Sequence, residues 1–326
     1  MCESSDHLIT SELLSGFKAC NLCPHKCGVD RTGNKTGVCN ASSQVKIARA
    51  ALHYWEEPPI SGENGSGAVF FSHCTLKCIF CQNKAISQGG FGSYISLERL
   101  SEIYLELQDK GAHNINLVSP SQYVYAIVPT VKYAREKSLH IPIVYNSSGY
   151  EREETLDLLR DTVNVWLPDY KYTDDKLARN LSRAPGYSSV ALKAIETMLK
   201  QVEQHGGRIV DNGIMKQGII VRHLVLPGHE DDSMNVLSTL WNAFGNRIDV
   251  SIMSQYTPPS NCEELNSEPS LLKPLEHDMY EAVLDWADML GFENLWWQEG
   301  DAVGESFIPE FDLSGVFAPE HKKVEA

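Results

Sequence analysis

The sequence predicts an α/β protein built on a parallel sheet, and three observations carry that expectation. Strand-like and helix-like segments alternate about six times between residues 68 and 297, the pattern of βαβ units whose strands lie parallel with helices outside. The chain has 326 residues, which suits one α/β unit of roughly 200 to 250 residues and an appendage. Four cysteines fall within residues 20–39, ahead of the first expected parallel strand. The expected division is an N-terminal cysteine-rich segment over 1–60, the α/β unit over 61–300 and a C-terminal tail over 301–326. Alternation alone allows either a barrel or a doubly wound open sheet.

In chain order, residues 10–18 read as a short helix with Thr10 or Ser11 at the N-cap, where a hydroxyl satisfies an orphan N–H. Cys20, Cys23, Cys27 and Cys39 follow, with Gly28, Gly33 and Gly37 among them. Four thiolates around a compact loop suit structural zinc or a second iron–sulfur cluster, and spacing does not separate the two. His25 is expected on the loop surface, because four thiolates already complete a coordination shell. Cys2 and Cys262 stand apart and are expected to ligate nothing. Residues 45–59 and the glycine-rich run 61–67 read as a linker or turn into a strand over 68–72. That run lacks the Gly-Lys-Ser/Thr ending of a phosphate-binding loop.

Ser96 caps a helix whose Leu97, Leu100, Ile103, Tyr104 and Leu107 form one apolar stripe, and Gly111 ends it. A buried strand over 115–118 precedes a helix over 121–137 that is expected to break near Pro129, since proline removes a backbone donor. Strand 141–145, helix 153–161, strand 164–167 and helix 188–204 follow, the last stopped by Gly206 and Gly207. Strand 219–226, helix 233–241, strand 248–253, helix 276–290 and strand 294–297 complete the series.

Strand 68–72 runs into Cys74, Cys78 and Cys81, with Phe80 just before the third cysteine. Three thiolates can hold three irons of a cluster and leave the fourth open, as catalytic metals keep an open position. The segment Cys74-x-x-x-Cys78-x-Phe80-Cys81 resembles the signature loop of the radical S-adenosylmethionine (SAM) enzymes. Further segments between Cys20 and about Phe311 resemble the pyruvate formate-lyase activating enzyme-like branch. The resemblance implies a partial (β/α)6 barrel of radical SAM type, a 4Fe–4S cluster on Cys74, Cys78 and Cys81, SAM chelating the unique iron, and Phe80 against the adenine.

In either α/β architecture ligands collect at the C-terminal ends of parallel strands. The second such end reads Ser119-Pro120-Ser121, where many relatives carry Gly-Gly-Glu and hold the SAM amino group with carbonyls; Ser121 also reads as a helix cap. The third reads Asn146-Ser147-Ser148-Gly149, similar to the Asn-Gly-rich turn of the branch, which places Asn146 and Ser148 toward the ribose or methionyl part of SAM. The fourth carries Asp169-Tyr170-Lys171, and alternation puts Asp169 and Lys171 on one face. The resemblance implies that Lys171 neutralises the SAM carboxylate. On the fifth, Arg222 lies within an apolar strand and needs an anion if buried; the matching arginine of the family meets SAM, while His223 faces the other layer. Gln255, Tyr256 and Gln298 at the last two ends are candidates for the mouth or the core.

Lys and Arg number 28 against 43 Asp and Glu, a net charge of −15, which argues against nucleic acid or an anionic membrane as partner. No stretch approaches the roughly 18 apolar residues of a membrane span, and the N-terminus lacks a signal-peptide pattern. A cytoplasmic protein with thiolates reserved for metal is the expectation, consistent with the odd count of nine cysteines. The resemblance implies reductive SAM cleavage, a 5′-deoxyadenosyl radical and hydrogen abstraction, from a glycine where a glycyl-radical enzyme is partner, with a flavodoxin- or ferredoxin-type electron donor. Radical modification of a peptide or small molecule is the alternative. A ferredoxin-like carrier or zinc scaffold would need a fourth cysteine near Cys81, and none occurs before Cys262.

Overall fold

The computed structural model describes residues 11–259, 263–298 and 309–318. Thr10, Cys2 and Cys262 lie outside them. The N-terminal helix α1 (Ser11–Lys18) leads through the cysteine loop to strand β1 (Lys46–His53), a single turn α2 (Pro58–Ser61) and strand β2 (Ser66–Phe71). After the signature loop come α3 (Lys84–Ser87), β3 (Ser93–Tyr94), α4 (Leu97–Asp109), β4 (Ile115–Val118), α5 (Val124–Glu136), β5 (Ile143–Ser147), α6 (Glu153–Leu159) and β6 (Val165–Pro168). The second half holds α7 (Asp175–Ser182), α8 (Tyr187–Gln204), β7 (Ile209–Asp211), β8 (Ile214–Leu224), α9 (Glu230–Phe244), β9 (Asp249–Met253), α10 (His277–Leu290) and β10 (Leu295–Trp297).

The strands form one sheet in the order β10-β9-β8-β6-β5-β4-β2-β1-β3, with β7 hairpinned onto β8. From β2 to β10 every neighbour on this path is parallel, and each follows its predecessor without a reversal of order. By the general right-handed rule, crossovers between successive parallel neighbours place their helices on one face. A doubly wound sheet needs a reversal, so the alternation resolves in favour of an open, partial barrel. Its parallel strands are buried on both faces, as the unbroken burial of β2, β4, β5, β6 and β9 shows.

Several local expectations change. Residues 46–53 are not a linker but a strand, antiparallel to β2, with Ala50 opposite Val69. Its alanines are poor strand formers, and their small size admits the C-terminal segment: Leu313 N–H donates to Ala48 O at 3.1 Å and Ala50 N–H to Ser314 O at 2.8 Å. Helix α5 passes through Pro129 unbroken. The proline removes one N–H from the ladder, and the helix is held by its buried face of Val124, Ala126, Ile127, Val131 and Ala134; the Thr130 hydroxyl donates to the carbonyls of Ala126 and Ile127, at 2.9 Å each, and so is satisfied within the helix. Helix α7, absent from the expected series, starts at Asp174, whose carboxylate accepts the N–H of Lys176 at 2.6 Å.

Strand β8 begins earlier than expected, in a two-residue hairpin around Asn212 and Gly213, both with positive φ. No described helix is long and apolar enough to cross a membrane.

Candidate active site

The signature loop leaves β2 through His73, whose φ of 73° turns the chain into the sheet mouth. Its backbone is pinned from outside: Lys77 N–H donates to Ser182 O at 3.0 Å and Ile79 N–H to Leu181 O at 2.8 Å. Each signature sulfur has a polar neighbour. Ser182 Oγ donates to Cys78 Sγ at 3.0 Å, Leu76 N–H lies 3.4 Å from Cys74 Sγ, and Ser87 Oγ lies 3.3 Å from Cys81 Sγ. Burial pushes the Cys74 thiol up to about 12 and the Cys78 thiol up to about 11, so as free thiols both stay protonated, and a metal must displace the proton.

A cavity of about 210 Å³ lies over this loop. Cys74, Cys78, Cys81, Phe80, Ser119, Asn146, Ser148, Asp169, Lys171 and Arg222 all line it. The signature cysteines and the candidate SAM-contacting residues are thus brought together at the C-terminal ends of β2, β4, β5, β6 and β8.

In the same cavity, Lys171 Nζ donates to Asp169 Oδ2 at 2.6 Å. Arg222 Nε donates to Asp169 Oδ1 at 3.1 Å, its Nη2 to Asn146 Oδ1 at 2.6 Å and its Nη1 to Glu56 Oε2 at 3.2 Å. Burial raises the Asp169 carboxyl, but Lys171 and Arg222 more than offset it and hold the group below its ordinary range. Burial likewise pulls Lys171 down, and Asp169 with Cys78 reverses this, leaving it raised and charged. The arginine is raised too, against burial, by Asp169, Glu57 and Glu56. Its Nη2 also lies 3.0 Å from Asp169 Oδ1, so the guanidinium fork grips that carboxylate from two nitrogens.

Ser119 adopts φ 55°, a left-handed conformation that glycine enters without strain. Its carbonyl accepts Gln122 Nε2 at 2.8 Å. Ser121 is neither at the cavity nor a helix cap; its hydroxyl donates to Glu151 at 2.5 Å. Ser148 Oγ is buried without a hydrogen-bond partner. Tyr256 belongs to the core at 1% exposure, Gln255 reaches the cavity, and His223 packs with Nδ1 2.9 Å from Tyr170 O.

The residues fit a three-cysteine cluster with a bound SAM: three thiols with polar neighbours face one cavity, and an unpartnered hydroxyl and an acid–base network line its other side. The N-terminal thiols form a separate group. Cys20, Cys23 and Cys39 are buried and Cys27 is exposed; Cys20 Sγ accepts from Arg31 at 3.5 Å and Cys27 Sγ from Val38 N–H at 3.4 Å. Four thiols on one short segment suit zinc or a second cluster alike. His25 is half-buried rather than a free surface residue, and its Nε2 lies 2.9 Å from Thr75 O, which ties this segment to the signature loop.

Glu56, which lines the cavity, is the functional-site residue that sequence reasoning missed, and Glu57 adjoins it outside that lining. They sit just beyond β1, in the stretch read as a linker. Burial raises both carboxyls, with Arg222 opposing. Two adjacent acids closing an aromatic and apolar run were the available signal.

A profile described as the radical SAM superfamily matches residues 68–237, just over half of the chain. The chain belongs to the radical SAM superfamily. An uncharacterized protein of Methanocaldococcus jannaschii is 27% identical over 281 residues, covering 83% of this chain and 75% of that one. Among solved structures, SuiB of Streptococcus suis aligns with TM-score 0.48 and 13% identity over 72% of this chain; the chain spans about half, 48%, of SuiB. A pyruvate-formate lyase-activating enzyme domain from Bacteroides vulgatus aligns with TM-score 0.36 and 11% identity, over 53% of this chain and 89% of that domain.

Proposed function

We propose that Cys74, Cys78 and Cys81 hold a 4Fe–4S cluster and that the adjoining strand ends hold SAM, making the chain an enzyme that removes hydrogen from a substrate. The supporting observation is the single cavity shared by the three cysteines, Phe80 and the Lys171–Asp169–Arg222 network. When bound, the cluster and SAM supply a reductively generated carbon radical, the step that protein side chains cannot perform. The chain supplies position, charge and exclusion of water. Lys171, held cationic by Asp169, would meet the SAM carboxylate, and Arg222 fixes the orientation of Asp169 and Asn146. Ser148 Oγ has an unspent donor for the ribose or methionyl part, and Phe80, 6% exposed, offers a ring face to the adenine.

Within the superfamily we assign the chain to the pyruvate formate-lyase activating enzyme-like branch. Its target is then a glycine of a glycyl-radical enzyme, its donor is of flavodoxin or ferredoxin type, and its setting is the reducing cytoplasm. The signature loop and the strand-end motifs support this reading. Modification of a peptide or small molecule is the second reading, favoured by a further cavity of about 440 Å³ that shares Trp55, Glu56, Arg222, Met253 and Gln255 with the first. Anaerobic cluster reconstitution with SAM and a reductant, followed by assay for 5′-deoxyadenosine, tests the reaction class. Capture of a glycyl-radical enzyme on the reconstituted protein separates the two substrates; its absence alongside turnover of a peptide or small molecule decides for the second.

A further inference from the structure

The second cavity is lined by Arg222 and by none of the signature cysteines, and its polar wall is unusual. Glu57 lines it, is 8% exposed, and has an Oε2 with no hydrogen-bond partner. Glu56 lines it too but is spent on Arg222 at 3.2 Å and on Asn116 at 2.9 Å. Three carboxyl groups, Asp169, Glu56 and Glu57, stand here against two cations, Lys171 and Arg222. Lys171 pairs with Asp169, and Arg222 pairs with both Asp169 and Glu56. Glu57 makes no ion pair among the described residues; the cation that reaches it electrostatically is the already engaged Arg222. A buried carboxylate in that position takes up either a proton or a cation.

The rest of the cavity selects between these outcomes. Tyr54, Trp55 and Trp297 stand at its edge, 52%, 56% and 52% exposed, and Trp296 lines it as well. Aromatic faces around a carboxylate attract organic cations, which give up less hydration than a metal ion and gain cation–π attraction. The volume, about 440 Å³, admits a substituted ammonium with its carbon chain. We propose that this cavity binds a substituted ammonium group of the substrate, between the Glu56–Glu57 pair and the Tyr54, Trp55 and Trp297 rings. In assigning the cation to the substrate, the inference rests on the radical SAM reading above; the binding itself does not. A free amine and a lysine side chain of a peptide present the same chemistry.

The test is calorimetric titration of the reconstituted protein, with and without SAM. The probes are 1,4-diaminobutane, Nα-acetyl-lysine methylamide and their neutral counterparts, 1,4-butanediol and Nα-acetyl-norleucine methylamide. The ammonium probes should bind at least about tenfold more tightly than the neutral ones. Glu57→Gln should abolish that preference, and Trp297→Ala should weaken it about two- to fivefold, both with unchanged SAM affinity. Trp297 is exposed, so its variant decides the matter if Glu57→Gln fails to fold. Tighter diamine binding supports a free amine as the source, and tighter lysine-amide binding supports a peptide. Equal affinity for neutral probes, no binding of either ammonium probe, or variants that leave the preference intact would overturn the proposal. So would a loss of SAM affinity equal to the loss of probe affinity. Ammonium binding without any SAM cleavage would keep the cation site and sink the radical reading instead.

Discussion

Arg222 Nη1 and Glu56 Oε2 lie 3.2 Å apart and join β8, the fifth parallel strand, to the segment that follows β1. Because the same guanidinium holds Asp169 and Asn146, three strand ends and the N-terminal hairpin converge on one cation. Removing it leaves buried carboxylates without a partner. Arg222→Ala should therefore cost about 3–5 kcal/mol of stability and weaken SAM binding by about tenfold or more, with the cluster retained. Urea denaturation and SAM titration check both. Unchanged stability would mean that Asp169 and Glu56 find other partners, and unchanged SAM affinity in a folded, cluster-loaded variant would confine Arg222 to a structural role.

That ion pair marks the boundary of what the sequence could show. Asp169 and Lys171 were legible as a pair because the two-residue period of a strand puts them on one face. Arg222 was legible as needing an anion because it interrupts an apolar strand. Its partner Glu56 was not, since the pairing spans 166 residues and only the closing of the sheet brings the two together. The order of parallel strands was open for the same reason: alternation specifies units, and long-range pairing specifies whether they reverse. Asn212-Gly213, by contrast, was a readable hairpin signal flanked by apolar residues, and overlooking it shortened β8. Pro129 misled because a local rule against mid-helix proline was outweighed by the packing of α5, whose Val124, Ala126, Ile127, Val131 and Ala134 are buried.

Gly149 offers a second test of how the strand ends are set. Its φ is 72°, and a Cβ there would stand 2.2 Å from the carbonyl oxygen of Asp169. Gly149→Ala combines left-handed strain of roughly 1–2 kcal/mol with a backbone clash, so a loss of at least about 2 kcal/mol is expected, together with weaker SAM binding as Asp169 shifts. A variant as stable as the parent would show that this turn relaxes freely.

Glu151 gives the protein a pH signature. It is 2% exposed, its Oε2 is unpartnered, and burial raises its carboxyl from 4.5 to about 7, opposed by Ser121 and Ser147. The folded state holds this proton more tightly than the unfolded chain does. Its contribution to stability is therefore full below about pH 4.5 and is lost as pH rises toward about 7. Glu151→Gln should remove on the order of 3 kcal/mol of that pH dependence, read as the difference between wild-type and variant denaturation curves across the window. Parallel curves would contradict it.

The N-terminal thiols are tested by metal analysis of a variant lacking Cys74, Cys78 and Cys81, since remaining metal must then belong to Cys20, Cys23, Cys27 and Cys39. A radical enzyme already matures where clusters are loaded, and a nearby redox centre could relay electrons, so iron and sulfide are expected after anaerobic reconstitution. Stoichiometric zinc without iron would reject the second cluster and leave a structural knuckle, and no metal at all would reject both.

The most direct measurement is 5′-deoxyadenosine formation by the anaerobically reconstituted protein and by Cys78→Ala. Cys78 is held by Ser182 at the centre of the signature loop and faces the same cavity as Lys171 and Asp169. Wild type should release 5′-deoxyadenosine when supplied with SAM and a reductant, and Cys78→Ala should release none, because its loss removes one of only three thiolates. Near-normal product from Cys78→Ala would contradict the assignment of the cluster to these cysteines.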